Sequence, residues 1–410
     1  MTRMMKDSGV EWIGEIPENW EVSKVKYFVD CYDGKRVPVD SAQRIAGPYP
    51  YWGAGNITDY VNDYLFDEEI ILLGEDGAPF FDPFRPVAFL INEKVWVNNH
   101  IHVLKPHETI SSPYLVYFLN TVDYKSYING SILNKLTQSN MNSIAFILPP
   151  LSEQQKIATF LDDKCGAIDE IISKTEQSIE EYKKLKQSVI TKAVTKGIRP
   201  NRPMQDSNIE WIGEIPTDWA TRKIFQLFTQ VKNKNAGMVE NNLLSLSYGK
   251  IIKKNIETSF GLLPESFETY NIIEKDDIVL RLTDLQNDHR SLRVGLCKER
   301  GIITSAYVTM RQKDNQYAPY LYYLLHTFDV KKGFYGMGDG VRQGLNWDEL
   351  KHLSLVLPPP DEQKEITDYL DEKCAEIDTL VEKKQQFLAE MANYKKSLIY
   401  EYVTGKKEVA

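Results

Sequence analysis

The phrase DSGVEWIGEIPENW at residues 7–20 decides the fold, because it returns as DSNIEWIGEIPTDW at residues 206–219. A second phrase, LPPLSEQQKIATFLDDKCGAID at 148–169, returns as LPPPDEQKEITDYLDEKCAEID at 357–378. Two long matches in the same order indicate a tandem duplication. The interiors between the phrases share no such likeness: GPYPYWGAGNITDY has no counterpart near NNLLSLSYGKIIKK. The sequence therefore predicts two halves with a common frame and different contents.

Composition places the chain among ordinary globular proteins. Its 410 residues are 42% hydrophobic and 26% charged, and this length suggests two or three domains. The cysteines form no C-x-x-C pair and no histidine cluster has zinc spacing, so we expect no metal site and a reducing compartment. The first residues lack a signal-peptide core, and the longest aliphatic run, 70–73, is too short to cross a bilayer. These features predict a cytoplasmic protein. The cysteines are Cys31, Cys165, Cys297 and Cys374.

The net charge of -9 at pH 7 argues against an unaided nucleic-acid binder, because neutralising phosphates requires lysine and arginine. The charge is unevenly distributed. Residues 21–150 hold 10 Lys and Arg against 15 Asp and Glu, a balance of -5. Residues 220–356 hold 19 against 15, a balance of +4. Any DNA contact must therefore use local basic patches, with a partner that supplies further positive charge.

Residues 152–196 predict a long helix, because they contain no proline and only one glycine, Gly166. Apolar side chains recur there at spacings of three and four, which is typical of a coiled-coil seam. The first seam is Ile168, Ile172, Ile179, Tyr182, Val189 and Ala193, with Thr175 and Lys186 as polar members. The second is Ile377, Val381, Leu388, Met391, Leu398 and Tyr402, with Lys384 and Lys395 as polar members.

Each predicted helix is roughly 66 Å long at about 1.5 Å per residue, too long for one globule to bury. We therefore expect the two helices to pair as an antiparallel coiled coil with pseudo-two-fold symmetry. Ser152 and Asp361 are the expected N-caps, and Gly197 and Gly405 are the expected stops. Trp12, Trp20, Trp211 and Trp219, in the repeated phrases, are the expected anchors of the domains to the helices.

The interiors predict mixed strands and short helices, so the fold class is α+β: two globular α/β domains joined by two long helices. Short aliphatic runs predict strands at 69–73, 87–91, 101–104, 278–282 and 308–311. Helices are expected near Ser111 and Tyr317, where prolines favour a first turn. The predicted segments are 1–150 and 199–359 for the two domains, and 151–198 and 360–410 for the helical spacers.

The motifs of DNA-processing enzymes are absent from the sequence. There is no phosphate loop, no H-E-x-x-H and no strand-associated G-x-G-x-x-G, and GMGDGVRQG at 336–344 predicts a loop. The pairs Pro149-Pro150 and Pro358-Pro359 lack the flanking residues of an amino-methyltransferase motif and start helices instead. Acidic residues 162–163 and 371–372 fall on the predicted coil, where charges are usually solvated. We therefore expect no catalysis by this chain.

The order IGEIPxxW, variable interior, LPPxxEQ and long helix, present twice, resembles the specificity subunit of type I restriction-modification enzymes. The resemblance covers nearly the whole chain and rests on WIGEIPENW, LPPLSEQQKI, WIGEIPTDW and LPPPDEQKEI. It implies two target-recognition domains, 21–147 and 220–356, that each read one half of an asymmetric, bipartite double-stranded DNA site. It also implies helices that dock two methyltransferase subunits, with two restriction subunits in the restriction form. S-adenosylmethionine, Mg and ATP would belong to those partners, and this chain would hold no cofactor.

Two other functions fit the same sequence. The chain could be a stand-alone two-headed DNA-binding adaptor, or a coiled-coil scaffold whose globular ends bind proteins. Co-purification with a methyltransferase distinguishes the restriction system from the adaptor. Salt-dependent binding to duplex DNA distinguishes both from the scaffold.

DNA reading needs cations on phosphates and paired donors and acceptors on base edges. The resemblance also places the tyrosine-rich turn and the G-E-D-G loop of the first half on the DNA-facing side. In the first half the predicted contacts are Lys35, Arg36, Tyr51, Trp52, Asn56, Asn98, Asn99, His100, Asn134, Lys135, Gln138 and Asn140. In the second half they are Lys253, Lys254, Arg281, Gln286, Asn287, His289, Arg290, Arg293, Arg342 and Gln343.

Several of these residues have a structural alternative. Asn98, Asn99 and His100 also fit a strand-entry turn capped by its own side chains. Tyr51 and Trp52 also fit a core, because duplex readers seldom need base stacking. Lys253 and Lys254 fit an exposed hairpin tip equally well. The stretch QNDHRSLR at 286–293 stands out, because it concentrates side chains with paired donors in one loop.

Overall fold

A computed structural model describes residues 3–82, 84–129, 134–255, 266–285, 287–288, 290–313, 317–337 and 344–409. The chain divides into two compact units. Unit 1 combines Met1–Gln177 with Lys383–Ala410, and unit 2 is the continuous stretch Ser178–Glu382. Among the described residues, no helix is both long and apolar enough to cross a membrane. The boundaries of the four predicted segments stay a prediction.

Unit 1 contains short strands, two short α-helices, the start of one long helix and the end of another. Its strands are β1 (Met5–Asp7), β2 (Glu15–Pro17), β3 (Glu21–Lys24), β4 (Val29–Cys31), β5 (Ala46–Trp52), β6 (Ile57–Val61), β7 (Ile70–Gly74), β8 (Ala88–Ile91), β9 (Trp96–Val97), β10 (Ile101–Pro106), β11 (Ile128–Asn129), β12 (Lys135–Leu136) and β13 (Ala145–Leu148). Its helices are α1 (Ser112–Leu119), α2 (Gln138–Ser143), the first part of α3 (Leu151–Lys196) and the last part of α7 (Pro360–Val403).

The central sheet of unit 1 has the strand order β4-β10-β7-β8, and all its neighbours are antiparallel. Its middle strand β7 is buried on both faces, which explains its unbroken run of aliphatic residues. Ile71 and Leu73 point into the main core with α1, whereas Ile70 and Leu72 point into a second cluster with Trp52. A smaller sheet, β6-β5-β9, lies in the same unit. The strands predicted at 69–73, 87–91 and 101–104 are confirmed.

Unit 2 repeats this arrangement with different sequences. Its strands are β14 (Met204–Asp206), β15 (Glu214–Pro216), β16 (Ala220–Lys223), β17 (Phe228–Gln230), β18 (Leu244–Ser247), β19 (Lys250–Lys253), β20 (Asn271–Ile273), β21 (Ile278–Leu280), β22 (Val294–Leu296), β23 (Gly301–Ile303), β24 (Val308–Gln312) and β25 (Ser354–Leu357). Its helices are the last part of α3, α4 (Ile224–Leu227), α5 (Ala318–Val330), α6 (Trp347–Leu350) and the first part of α7.

The central sheet of unit 2 has the order β17-β24-β21-β22, which matches that of unit 1 strand for strand. Ile278 and Leu280 pack against α5 in the main core of this unit, and Val279 points to the opposite face. The predicted strands at 278–282 and 308–311 and the predicted helix near Tyr317 are confirmed. The duplicated frame therefore encodes a duplicated sheet, although the strands themselves have unrelated sequences.

The two long helices, α3 and α7, begin two residues earlier than the predicted N-caps imply. The carbonyls of Pro150 and Pro359 accept the first helical hydrogen bonds, so these prolines occupy the N-cap positions. Ser152 and Asp361 lie inside the first turn, and their prediction as N-caps is wrong. The physical reason is that Pro150 O and Pro359 O already accept from backbone N–H groups of the first turn, which puts Ser152 and Asp361 at helical positions. Gln154 also donates from Nε2 to Pro149 O. Gln363 does the same at Pro358.

The helix ends are as predicted. Gly197 and Gly405 follow α3 and α7 with φ of +76° and +71°, in the left-handed region that favours glycine. A Cβ on Gly405 would also lie 2.4 Å from Pro17 Cδ, which leaves no room for another residue. Next to these glycines, Lys406 and Lys196 donate to carbonyls of the repeated phrases.

In unit 1 the two long helices pack against each other in opposite directions. The rings of Phe160 and Tyr402 lie 4.5 Å apart, and Lys395 Nζ lies 2.7 Å from the Asp169 carboxylate. As the residue number rises along α3, the number of the contacting residue on α7 falls, so the two helices are antiparallel. The repeated phrase anchors this pair, because Trp20 Nε1 donates to the Glu153 carboxylate at 2.9 Å.

Unit 2 contains the equivalent helix pair. Lys186 Nζ lies 2.6 Å from the Asp378 carboxylate, and Arg199 lies 2.7 Å from Glu365. Trp219 Nε1 donates to Glu362, which repeats the tryptophan anchor. The predicted antiparallel pairing is confirmed in both units, and the polar seam residues Lys186 and Lys395 each bind an aspartate of the facing helix.

Candidate nucleic-acid interface

The segments that follow β7 and β21 occupy equivalent places in the two central sheets. Ile71 of β7 pairs with Leu104, and Ile278 of β21 pairs with Met310 at the same level. In unit 1 the segment is the G-E-D-G loop at 74–77, and in unit 2 it is 281–293. Both predicted reading loops therefore leave the sheet from the same strand end.

Three predicted contacts of unit 1 meet at the G-E-D-G loop. The backbone N–H of Glu75 donates to His100 O, and that of Gly77 donates to Asn134 O. Asp76 also forms a β-bridge with Lys135. The structure thus brings together residues that lie far apart in the sequence. Gly74 permits this turn, because a Cβ there would lie 2.3 Å from Ala78 Cβ.

The carboxylates of this loop bind the surrounding cations. Arg36 Nη1 lies 2.6 Å from Glu75, and Lys135 Nζ lies 3.3 Å from Glu75 and 3.1 Å from Asp76. The hydrogen bond to Asp76 raises the pKa of the Lys135 amine, which keeps it charged. His100 Nδ1 lies 3.5 Å from Asp76. Donors and acceptors therefore alternate across this surface, in the manner that base edges require.

Near this loop lies a pair that the sequence did not predict, the fully buried His102 and the partly exposed Asp33. His102 is fully buried, with Nδ1 2.6 Å from Asp33 and Nε2 2.8 Å from Leu136 O. Burial would raise the pKa of the Asp33 carboxyl, but hydrogen bonding and charge from His102, Val103 N–H and Arg36 hold it below its usual value. Because a carbonyl oxygen only accepts, His102 Nε2 donates to Leu136 O, and His102 Nδ1 shares a hydrogen bond with the Asp33 carboxyl group.

Cys31 lies beside this pair, and the ligand atoms of Cys31, Asp33 and His102 are all within 4.8 Å of one another. Such spacing suits a metal ion. However, both nitrogens of His102 already bond within the protein, and burial raises the pKa of the Cys31 thiol to about 11. The trio is thus a hydrogen-bonded cluster that links β4, β10 and β12. The sequence carries no signal for it, because Asp33 and His102 are separated by most of the domain.

The other predicted contacts of unit 1 are dispersed. Lys35 is exposed with Nζ 3.6 Å from the Tyr32 ring centroid, and Asn56, Asn99 and Gln138 are exposed. Asn98 accepts a hydrogen bond from His100 N–H, so it forms the local turn given as its alternative. Asn140 donates from Nδ2 to Tyr127 O, which is a structural role.

Tyr51 and Trp52 are core residues. Their exposed fractions are 1% and 8%, and the hydroxyl of Tyr51 accepts a hydrogen bond from Val39 N–H at 3.0 Å. Arg44 covers the outer face of the Tyr51 ring. Both residues therefore belong to the core, as the structural alternative states. Tyr51 is too buried to contact DNA, so its prediction as a DNA contact is wrong.

In unit 2 the described residues of 281–293 present polar side chains around a cleft. The cleft has a volume of about 620 Å³ and is lined by Thr283, Asp284, Asn287 and Gly344. Asn287 and Arg290 are exposed, and Arg281 is partly exposed with its guanidinium 3.8 Å from Asp288. The other predicted contacts of this region, Gln286, His289, Arg342 and Gln343, lie outside the described residues.

Arg293 does not lie on this surface. Its exposed fraction is 0%, and its guanidinium binds backbone carbonyls of the same segment. The prediction that Arg293 contacts DNA is thereby corrected: the residue is internal, because the segment closes around it.

Lys253 and Lys254 end strand β19 on the surface of unit 2. Both side chains are exposed, and Lys253 Nζ lies 2.8 Å from Glu299. The backbone N–H of Lys254 donates to Leu243 O, and this bond does not involve the side-chain amine. Their position is compatible with a phosphate contact and with an exposed strand end.

The chain belongs to a class of DNA-recognition proteins: the model of the type I restriction modification DNA specificity domain matches residues 17–181 and 216–389. The two matches fall one on each half of the duplicated chain. DNA sequence specificity is accordingly the function of the class, and the resemblance noted in the sequence is confirmed.

Individual relatives agree with this assignment. The type I restriction enzyme MjaVIII specificity subunit of Methanocaldococcus jannaschii is 26% identical over 96% of this chain and 94% of its own. A Haemophilus influenzae protein named as a candidate type I specificity subunit, S.HindORF215P, is 30% identical, but over 40% of this chain and 39% of its own. A solved chain described under complex assembly and conformational transition of the type I R-M system has a TM-score of 0.66. It shares 13% identity, covers 96% of this chain and 99% of its own, and shows the fold alone.

Proposed function

We propose that this chain reads an asymmetric, bipartite duplex site, with each unit reading one half, and that it performs no chemistry itself. The observation that carries the proposal is the pair of equivalent loops, 74–77 and 281–293, which hold the same place in two matching sheets but present different side chains. A symmetric target would not require two different readers. A catalytic subunit would not need the same site twice.

The first half-site would be read by the G-E-D-G loop and its neighbours. Lys135 and His100 offer donors, and the carboxylates of Glu75 and Asp76 offer acceptors for the exocyclic amine of cytosine or adenine. Lys35, Asn56, Asn99 and Gln138 are the exposed residues that we keep as contacts. Arg36 would support the loop rather than touch DNA, because it is largely buried against Glu75.

The second half-site would be read by Asn287 and Arg290, with Arg281 beside them. An exposed arginine on a loop suits bidentate contact with guanine, and asparagine suits adenine. Lys253 and Lys254 are kept as phosphate contacts. Gln286, His289, Arg342 and Gln343 remain part of the proposal as predictions from the sequence.

The long helices would dock two methyltransferase subunits at repeated positions. Ile171 and Tyr394 are 42% and 55% exposed, and they flank the Lys395–Asp169 ion pair of unit 1. Leu380 and Leu185 are 42% and 48% exposed, and they flank the Lys186–Asp378 pair of unit 2. Large apolar side chains exposed at equivalent places indicate protein contact.

The partners would carry the chemistry. S-adenosylmethionine would bind the methyltransferase subunits, and Mg and ATP would bind the restriction subunits where these are present. Base flipping would be the task of the methyltransferase. An assembly of this kind, which acts on chromosomal DNA, belongs in the cytoplasm.

Purification of this chain together with its methyltransferase tests the proposal. We expect a complex of two methyltransferases to one chain, and sequencing of methylated adenines in cells that express it should give two different half-sites with a fixed gap. Ile171→Asp with Tyr394→Asp should leave one methyltransferase bound, whereas Lys174→Asp, on an exposed helix face, should leave two. A chain that binds duplex DNA alone favours the adaptor, and one without salt-dependent DNA binding favours the scaffold.

The helix pair would fix the gap between the half-sites. Deleting residues 175–181 from α3 and 383–389 from α7 removes one heptad at the same level of both helices and keeps the ion pairs in register. The pair then shortens by roughly 10 Å, which corresponds to about three base pairs. Methylation sequencing should show a gap shorter by that amount. An unchanged gap would contradict this part of the proposal.

A further inference from the structure

The guanidinium of Arg293 is enclosed by the candidate reading segment of unit 2. The side chain is fully buried, and each of its five N–H groups has an acceptor. Nε donates to Tyr335 Oη at 3.2 Å, Nη1 donates to the carbonyls of Arg281 at 3.1 Å and Thr283 at 2.8 Å, and Nη2 donates to those of Asp284 at 3.3 Å and Asp288 at 2.6 Å. One side chain therefore binds four backbone carbonyls of a single segment.

These bonds set the course of the segment. Buried carbonyls need donors, and here the guanidinium supplies them in place of a strand ladder. Asp284 has φ of +57°, in the left-handed region, and its carbonyl is one of those held. Because the carbonyls point inward to Arg293, the side chains of Asn287 and Arg290 are left on the outside, where both are exposed.

Two further residues complete this arrangement. The Tyr335 hydroxyl donates to Asp288 O at 2.9 Å while it accepts from Arg293 Nε, and its ring centroid lies 5.1 Å from the guanidinium carbon. The buried Asp329 of α5 accepts from the backbone N–H of Arg293. The carboxylate brings a counter-charge near the buried cation, which reduces the cost of burying it.

We infer that Arg293 is a positioning residue for DNA reading: with Tyr335, it holds the described residues between 281 and 290 in the shape in which Asn287 and Arg290 meet base edges. This inference rests on the proposed function of unit 2. Because the loop is already held in one conformation, DNA binding would not have to order it. The entropic cost of forming its base contacts would therefore be small. Lysine cannot replace arginine here, because its three donors radiate from one point and cannot form the planar fork.

The experiment compares four variants of the full chain in complex with its methyltransferase: Arg293→Lys, Tyr335→Phe, Arg290→Ala and the control Arg300→Lys. Arg300 is a 54% exposed arginine of the same unit that binds Glu240 and Glu274. Methylation rates are measured on the cognate duplex and on duplexes with single base-pair changes across both half-sites. Thermal unfolding of each variant is recorded in parallel.

We expect Arg293→Lys to lower discrimination tenfold or more at the half-site that Arg290→Ala affects, with the other half-site unchanged. Tyr335→Phe, which removes one acceptor and one donor but keeps the ring, should give a smaller loss at the same half-site. Arg300→Lys should match the wild type at every position.

Two outcomes would overturn the positioning role of Arg293, and a third would overturn the proposed function on which it rests. Folded Arg293→Lys and Tyr335→Phe proteins with wild-type discrimination would show that the loop does not need them. An equal loss at both half-sites, with a lowered unfolding temperature, would show a general structural role. If Arg290→Ala itself has no effect while wild-type methylation still depends on both half-sites, the proposed reading residues of unit 2 are wrong, and that failure is distinct from failure of the positioning role.

Discussion

The loops after β7 and β21 occupy the same place in the two sheets but are held by opposite charges. In unit 1, acidic side chains at Glu75 and Asp76 bind cations, with the Asp33–His102 pair near them. In unit 2, the cation of Arg293 binds backbone carbonyls from within. The scaffold thus fixes where a reading loop leaves the sheet, and each unit supplies its own means of holding the loop. This separation lets one half change its surface without changing the frame.

The largest effect expected in this comparison is the loss of the support in unit 1. His102→Ala leaves Asp33 and Leu136 O each without the hydrogen bond from His102, and each unsatisfied polar group in such a site costs about 1–3 kcal/mol. Denaturant unfolding should show this loss of stability, and discrimination at the first half-site should fall. His107→Ala, which removes an exposed histidine beside Asp30, is the matched control and should leave both unchanged.

The effect of His102→Ala should depend on pH in a defined direction. The pKa of Asp33 is lowered in the folded state, so its stabilising contribution is present above the unfolded value of 3.8 and is lost as the pH falls through the folded value. The stability difference between wild type and variant should therefore be full near neutral pH and shrink below about pH 4. A difference that grows in acid would show that Asp33 is not the partner that matters.

Single reading residues should have intermediate effects confined to one half-site. Loss of a base contact by Arg290→Ala should cost about 1–3 kcal/mol of binding and relax specificity in one half of the target. Lys135→Ala should do the same in the other half, because its amine lies on the G-E-D-G surface. Footprinting or methylation of half-site mutants measures both. If the two variants relax the same half, the assignment of one half-site to each unit is wrong.

The smallest effects should come from isolated lysines on phosphates. Lys35→Ala and Lys253→Ala should each weaken binding on all sequences alike and reduce the salt slope of log K by about 0.9. Titrations of the complex at several salt concentrations give this slope. Lys174→Ala, which removes a helix-surface lysine paired with Glu170, should leave the slope unchanged. An altered base preference after Lys253→Ala would mean that this lysine reads bases.

The sequence predicted the frame well, because its signals are local. The repeated phrases, the seam spacing and the strand runs such as 70–73 depend on residues close together in the chain, and the structure matches them. His100 and Lys135 were predicted as DNA contacts because they are polar. The sequence did not predict that both would lie at the G-E-D-G loop. Arg293 and His102 could not be assigned from the sequence. Their partners are backbone carbonyls or a carboxyl group brought near by folding. Arg293 is therefore buried, although its sequence context suggests an exposed loop, and His102 forms buried hydrogen bonds from inside a strand.

The continuity of the units determines how the molecule must assemble as it is made. Unit 2 is one stretch of chain, whereas unit 1 needs residues 383–409, which follow all of unit 2. Leu398 and Val403 belong to the core of unit 1, and Tyr114 donates its hydroxyl to Val403 O. All of unit 2 is therefore synthesised before unit 1 can complete its fold. Unit 1, whose first residues are translated first, is therefore completed last. Until α7 is made, the apolar surface that Leu398 and Val403 cover is exposed to water and to chaperones.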